Sequence, residues 1–225
     1  MKQTLTAWLA GASGLVGRET LAALLEDRSF SRVVAVVRRP FVTPHAKLEE
    51  WVVNFDALEP ALAGGQADVA ICCLGTTIKK AGSREQFRHV DHDTVLAFAR
   101  AARAASVPHF LVVTALGADP GARTFYSRVK GEVEEALTEL GFPALTIARP
   151  SLLLGERAEF RLGEQLAAPL MRFMPARIRG IEARTVGCAL VQLARVPAHG
   201  KHIVLSDELQ AIGRKRAAPA DLPDA

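Results

Sequence analysis

Short apolar runs alternate along this chain with longer stretches in which apolar side chains recur every three or four positions. Six runs predict strands: Leu5–Ala10, Val33–Val37, Trp51–Val53, Val69–Cys73, Phe110–Val113 and Ala144–Ala148. Each is rich in Val, Ile, Leu, Ala or Cys without strict alternation, the pattern of strands covered on both faces. Helical spacing fills Leu15–Glu26, Ala57–Ala63, Ser83–Ala105 and Phe125–Leu140. Ser83 and Thr124 are placed to cap the last two, and Gly141 with Pro143 behind it stops the final one. Strands and helices in this order predict βαβ units and an α/β fold around a parallel sheet.

Beyond Pro150 the alternation weakens. Helical spacing returns at Gly163–Met174 and Thr185–Val196, and a short strand is expected at His202–Leu205. We read residues 1–205 as one domain, with 151–205 as a small appended lobe on the substrate side. From Ser206 to Ala225 the chain turns polar, basic and rich in Pro and Ala, and a disordered tail is expected. The length of 225 residues suits one elaborated domain, and 49% hydrophobic with 23% charged residues is a soluble globular composition. No polar-free stretch is long enough to cross a bilayer, so no membrane role is expected. Met1-Lys2 and the apolar run after them imitate a signal peptide, but the run is short and leads straight into a glycine pattern with its own use. Three cysteines, two of them adjacent at Cys72 and Cys73, cannot build a disulfide framework; a reducing, cytoplasmic setting is expected. The net charge of +4 is modest and gives no support to a nucleic-acid partner.

The first candidate site is Gly11-Ala12-Ser13-Gly14-Leu15-Val16-Gly17, between the first strand and the first helix. Glycines there allow a tight turn and let backbone N–H groups approach a pyrophosphate at the positive end of the helix. Gly-rich turns also occur without ligands, so the position between strand and helix is what gives the motif weight. About 20 residues further on, where a dinucleotide site meets the adenosine ribose, stand Arg38 and Arg39. An acid there would repel a 2′-phosphate, whereas two guanidinium groups attract it, which points to NADP(H). The bland alternative is a solvated basic turn. The chain's one tyrosine, Tyr126, precedes Lys130 by four residues, which places both on one helix face. A phenol beside an ammonium is a candidate acid/base, because the positive charge favours phenolate and draws the pKa toward neutrality. Thr114, at the end of the fifth strand, could hydrogen-bond a substrate oxygen.

Gly11 to Gly17, Arg38-Arg39, Cys72-Cys73-Leu74-Gly75-Thr76-Thr77, Val90-Asp91, Tyr126-x-x-x-Lys130-Gly131-Glu132 and Arg149-Pro150 occur in that order. In these blocks the chain resembles the atypical short-chain dehydrogenase/reductases, in their Tat-interacting-protein-like, NADPH-binding branch. The resemblance implies a doubly wound, Rossmann-type parallel sheet. It also implies pyrophosphate held by Ser13 to Val16, 2′-phosphate by Arg38 and Arg39, and the adenosine side by Leu74 and Gly75. Tyr126 and Lys130 would serve the ribose and the chemistry, and Leu153 and Arg161 the nicotinamide half. The family's usual pair of serines after the fifth strand is Thr114-Ala115 here, which keeps one hydroxyl and loses the other.

These residues lead to the expectation of an NADPH-dependent oxidoreductase acting on a small carbonyl or hydroxyl compound. The rival, from another class, is an NADPH-binding sensor or scaffold working through a protein partner or as a homo-oligomer. His89, Asp91, His92 and Asp93 look like metal ligands only when written in a row, because helical spacing sends them to different edges. Asp91 is the member of that group that could face the cofactor. Arg172, Arg177, Arg179 and Arg184 fit a solvated face better than an anion site.

Overall fold

A computed structural model describes residues 4–40, 44–154 and 179–217. Its frame is a seven-stranded sheet of β1 (Leu5–Ala10), β2 (Phe30–Val37), β3 (Leu48–Val52), β4 (Val69–Cys72), β5 (His109–Val113), β6 (Ala144–Arg149) and β9 (Gly200–Leu205). The strands lie in the order β3-β2-β1-β4-β5-β6-β9, every neighbouring pair parallel. β1 sits between β2 and β4, with Leu9 opposite Ala35 on one side and Ile71 on the other. Chain order reverses direction across the sheet at β1 and β4, and such a switch point opens a crevice at the carboxyl ends of the strands. Two short strands, β7 (Leu153–Leu154) and β8 (Ile181–Glu182), pair beside it.

The central strands lack alternation because both faces are covered. Leu9, Ala35, Ile71 and Leu111 pack in one layer with α1 (Leu15–Glu26) and α7 (Ala183–Arg195), while Trp8, Val34, Ala70 and Phe110 pack in the other. That second layer is closed by α2 (Leu58–Ala61), by α5 (Thr94–Ala104) and by α6 (Phe125–Glu139). Two short helices, α3 (Ile78–Ala81) and α4 (Arg84–Arg88), follow β4. α4 runs through a π-helical turn (His89–Asp93) into α5, so the single helix predicted over Ser83–Ala105 exists with a π turn inside it. The expected caps are made: Ser83 Oγ accepts from Gln86 N–H, and Thr124 Oγ1 accepts from Ser127 N–H.

Two expectations for the C-terminal part change. Among the described residues, the presumed lobe contributes α7 to a main layer and β9 to the main sheet, so it extends the domain rather than sitting on it. The tail expected to be disordered from Ser206 begins instead as α8 (Ser206–Ala217), laid against α7. Its buried stripe is Ser206, Leu209, Gln210 and Gly213, at helical spacing but with one apolar side chain among small and polar ones. That stripe carries no strong apolar signature, yet it packs well. A Cβ on Gly213 would come 2.1 Å from the Thr185 carbonyl oxygen, so α8 lies close against α7 there. The helix predicted at Gly163–Met174, with Arg172 and Arg177, lies outside the described residues.

Docking of α8 rests on Leu209, which is fully buried. Leu209→Ala is expected to cost about 2–5 kcal/mol, the usual range for emptying a leucine site. Thermal melts of wild type and variant measure it; an unchanged Tm would mean that α8 does not hold this position in solution.

Candidate active site

A cleft of about 1150 Å³ opens at the carboxyl ends of β1, β4 and β5. Its first wall is the loop after β1, whose shape depends on backbone touching backbone. Gly11 has φ +84°, and a Cβ there would lie 2.5 Å from the Cys73 carbonyl carbon. A Cβ on Gly17 would lie 1.9 Å from the Gly11 carbonyl oxygen. With both hydrogens in place, α1 follows directly on its N-cap Gly14, which has no side chain to cap its first N–H groups. Ser13, Gly14, Leu15 and Val16 all line the cleft. Uncapped N–H groups at the positive end of a helix, facing an open cleft, suit an anionic group.

Leu74, Gly75 and Arg38, to which the resemblance assigns the adenosine and its 2′-phosphate, line the cleft, and the Arg38 guanidinium lies 5.9 Å from the Phe55 ring centre. Arg39 is exposed beside it and is not part of the lining. Leu153 lines the far end, whereas Arg161 falls outside the described residues. Two further cations, Arg18 and Lys80, line the cleft and were not singled out from the sequence. Arg18 directly follows the last glycine, a signal that was available. Lys80 lies on α3, capped by Thr77 Oγ1, which accepts from Lys80 N–H; a helix of four residues is too short to show a hydrophobic period.

The chemistry-bearing helix is α6, which carries Tyr126, Lys130 and Glu134 at successive turns. Tyr126 and Lys130 both line the cleft. The Lys130 Nζ lies 2.7 Å from Asp91 Oδ1, and Thr76 N–H donates to Asp91 Oδ2 at 2.8 Å. Asp91 is 1% exposed, and burial pushes its carboxyl above the ordinary range against the pull of the Lys130 ammonium. Tyr126 rests its ring against Phe87, with centres 5.6 Å apart. Although 37% of the residue is exposed, partial desolvation holds its phenol above the ordinary value, Lys130 opposes the rise, and Asp91 adds to it. Lys130 does not draw the phenol toward neutrality as the sequence suggested, because desolvation outweighs its pull and the neighbouring Asp91 carboxylate opposes it.

Thr114 also lines the cleft, but its hydroxyl donates to Glu134 Oε1 at 2.6 Å. Glu134 in turn is ion-paired with Arg149, whose Nε donates to Oε1 at 3.0 Å. A threonine has one hydroxyl proton, and here it ties β5 to α6. The expected bond from Thr114 to a substrate oxygen is therefore not the bond this arrangement makes. Ala115, which also lines the cleft, has no hydroxyl to replace it.

A family model described as NAD(P)H-binding matches residues 11–166. The chain belongs to the NAD(P)H-binding family. This NAD(P)H-binding protein is 38% identical over 179 residues to protein HTATIP2 of Rattus norvegicus, covering 77% of this chain and 73% of the relative. It is 34% identical over 171 residues to the mitochondrial protein fmp52 of Emericella nidulans, covering 71% of each. Its fold is similar to that of the Bordetella bronchiseptica enzyme WbmH in complex with NAD⁺, with a TM-score of 0.70 at 15% identity over 91% of this chain and 76% of that one. These likenesses place the NAD(P)H-binding protein among the atypical short-chain dehydrogenase/reductase-like proteins with a Rossmann-type sheet. The expectation of a cytoplasmic location is overturned by the fungal relatives, which are mitochondrial by name. Cysteine usage had reported a reducing environment, and more than one compartment provides that.

Gly17→Ala tests the cradle. The added methyl collides with the Gly11 carbonyl, so α1 has to move off the loop, an overpacking expected to cost about 1–3 kcal/mol. Nicotinamide-dinucleotide affinity, followed by fluorescence titration, is expected to fall at least about tenfold as the N–H groups lose their alignment. Unchanged affinity in the folded variant would rule this loop out as the pyrophosphate site.

Proposed function

We propose that this protein is an NADPH-dependent reductase of small carbonyl compounds, with Tyr126 as the proton donor. The observation that carries the reading is the convergence of Tyr126 and Lys130 on one cleft whose other end holds the glycine loop and Arg38. The residues fit the cofactor: uncapped N–H groups of α1 suit its pyrophosphate, and no Cβ fills the space that Gly11 and Gly17 leave. Arg38, with Arg18 in the same lining and Arg39 beside it, would hold the 2′-phosphate, and Leu74 and Gly75 the adenosine side. Leu153 would contact the nicotinamide half, a role the resemblance also gives to Arg161. When bound, the cofactor supplies a hydride to the carbonyl carbon.

The chain's own residues handle the proton. A phenol held above its ordinary pKa stays protonated at neutral pH, and a protonated phenol in the cleft can donate to the carbonyl oxygen as that oxygen gains charge. The product is the alcohol, with its new O–H proton drawn from Tyr126, which water then reprotonates. Lys130 would hold the ribose, and its charge limits the cost of the transient phenolate.

A second reading is favoured by Thr114 and Ala115. One hydroxyl is committed to Glu134 and the other is missing, an arrangement that suits an NADPH-binding sensor or scaffold acting through a protein partner without turnover.

Replacing both Arg38 and Arg39 with Ala is expected to abolish most of a preference for NADPH over NADH, since each charge-assisted bond contributes about 1.5–3 kcal/mol. Calorimetric titration with both cofactors measures this, and equal wild-type affinities would end the NADP assignment.

Tyr126→Phe removes only the phenolic oxygen. Cofactor affinity and fold are expected to survive, while kcat/KM on a reduced carbonyl falls about 10²- to 10⁴-fold. Near-wild-type turnover in the folded variant would refute the proton-donor role. A wild type that binds NADPH but reduces nothing in a broad carbonyl panel would establish the second reading instead.

A further inference from the structure

Among the described residues, Asp91 is the only carboxylate lining a cleft that also holds Arg18, Arg38, Lys80 and Lys130. It reaches the cleft from the π-helical turn His89–Asp93, a local widening of the helix of a kind that recurs at functional sites. Thr94 Oγ1 donates to the His89 carbonyl at 2.8 Å, satisfying a backbone acceptor within the turn. Asp91 is held at both oxygens, by Thr76 N–H at 2.8 Å and by Lys130 Nζ at 2.7 Å. Both ionic partners are buried, Lys130 at 5% and Asp91 at 1% side-chain exposure. A buried ion pair is weak evidence for stability, because apolar residues of similar volume often hold a fold equally well. Its place beside Tyr126 gives it another use.

We propose that Asp91 is a positioning residue whose carboxylate captures the Lys130 ammonium and offsets part of its pull on Tyr126, extending to higher pH the range in which the phenol keeps the proton it donates. The part played in donation rests on the reductase reading above; the capture itself does not.

The other charges around this group are accounted for. On α6, Glu134 is ion-paired with Arg149 and bonded by Thr114, and Glu132 is ion-paired with Arg88 of α4. From β4, the Cys72 thiol is pushed up to about 12 by burial and stays neutral. The Glu134 and Glu132 carboxylates thus each have a cation of their own, which leaves Asp91 to meet Lys130. An ammonium that a carboxylate has neutralised stabilises a neighbouring phenolate less than a free one does.

The chain contains one tyrosine, so phenolate absorbance reports Tyr126 alone. Titration of the full-length protein without cofactor, with circular dichroism at each pH to confirm folding, is the direct test. The wild-type midpoint is expected above that of free tyrosine, about 10. Asp91→Asn is expected to lower it by at least about one pH unit, a tenfold gain in phenolate, and Asp91→Glu to restore most of the difference. The alkaline limb of the kcat profile for carbonyl reduction is expected to move down with the midpoint in Asp91→Asn.

A midpoint that stays or rises in folded Asp91→Asn would overturn the proposal. So would a wild-type midpoint at or below that of free tyrosine, a measurement that needs no variant to fold. A lowered midpoint in Asp91→Asn combined with full turnover in Tyr126→Phe would uphold the charge capture and remove the reductase reading. An unmoved midpoint combined with lost turnover in Tyr126→Phe would do the reverse.

Discussion

Backbone meets backbone where β1 and β4 end, and the cleft takes its form from that contact. Cys73 N–H donates to the Ala10 carbonyl at 2.9 Å, which carries the β1–β4 pairing one residue beyond the strand. Gly11 then turns away with a positive φ so close to the Cys73 carbonyl that no side chain fits between them. Gly14 N–H donates back to the Gly11 carbonyl at 2.9 Å, and Gly17 lets α1 settle onto the same carbonyl. The direction of α1, and with it the direction of its first N–H groups, follows from these contacts. Side chains in the cleft add specificity to a cradle that the main chain has already made.

The inner face of α6 shows a second constraint. Two buried charges of opposite sign, Lys130 and Glu134, lie one turn apart, yet each takes its own partner from another element. Asp91 comes from the helix before it and Arg149 from the end of β6. Every such partner orients the helix, since a shift of α6 along its axis would strip both pairs at once and leave charges buried without compensation. Gly131 lies between the two pairs, where a Cβ would come 2.1 Å from the Pro120 nitrogen, so the loop before α6 lies directly on the helix. Polar bonds and close packing together set where Tyr126 points.

Much of this was legible in the chain because it depends on neighbours in sequence. β1 and α1 have the limits that the pattern predicts, and Ser83 and Thr124 cap as expected, since a cap is decided within three residues. Tyr126 and Lys130 reach the same cleft because four residues make one helical turn. What could not be read is decided at a distance. Glu134, the acceptor of the Thr114 proton, lies twenty residues away, so a hydroxyl that looked available was already bonded. Asp91 lines the cleft, as its position along the helix suggests, but its partner Lys130 stands on another helix and leaves no local sign. α8 escaped notice because its buried stripe is made mostly of polar and small residues that only the surface of α7 turns into a packing face.

Glycine also joins helices in this fold. Gly213 brings α8 onto Thr185 of α7, and Gly187 brings α7 onto α1, where a Cβ would come 2.7 Å from Thr20 N. Long side chains at an interface bend and let neighbours slip past one another; main chain on main chain does not. α8, α7 and α1 are thus joined in series by main-chain contacts, and the last of them is the helix that starts from the glycine loop. The outermost described helix and the glycine loop therefore belong to one stack in which glycine, not a long side chain, sets the spacing at each step.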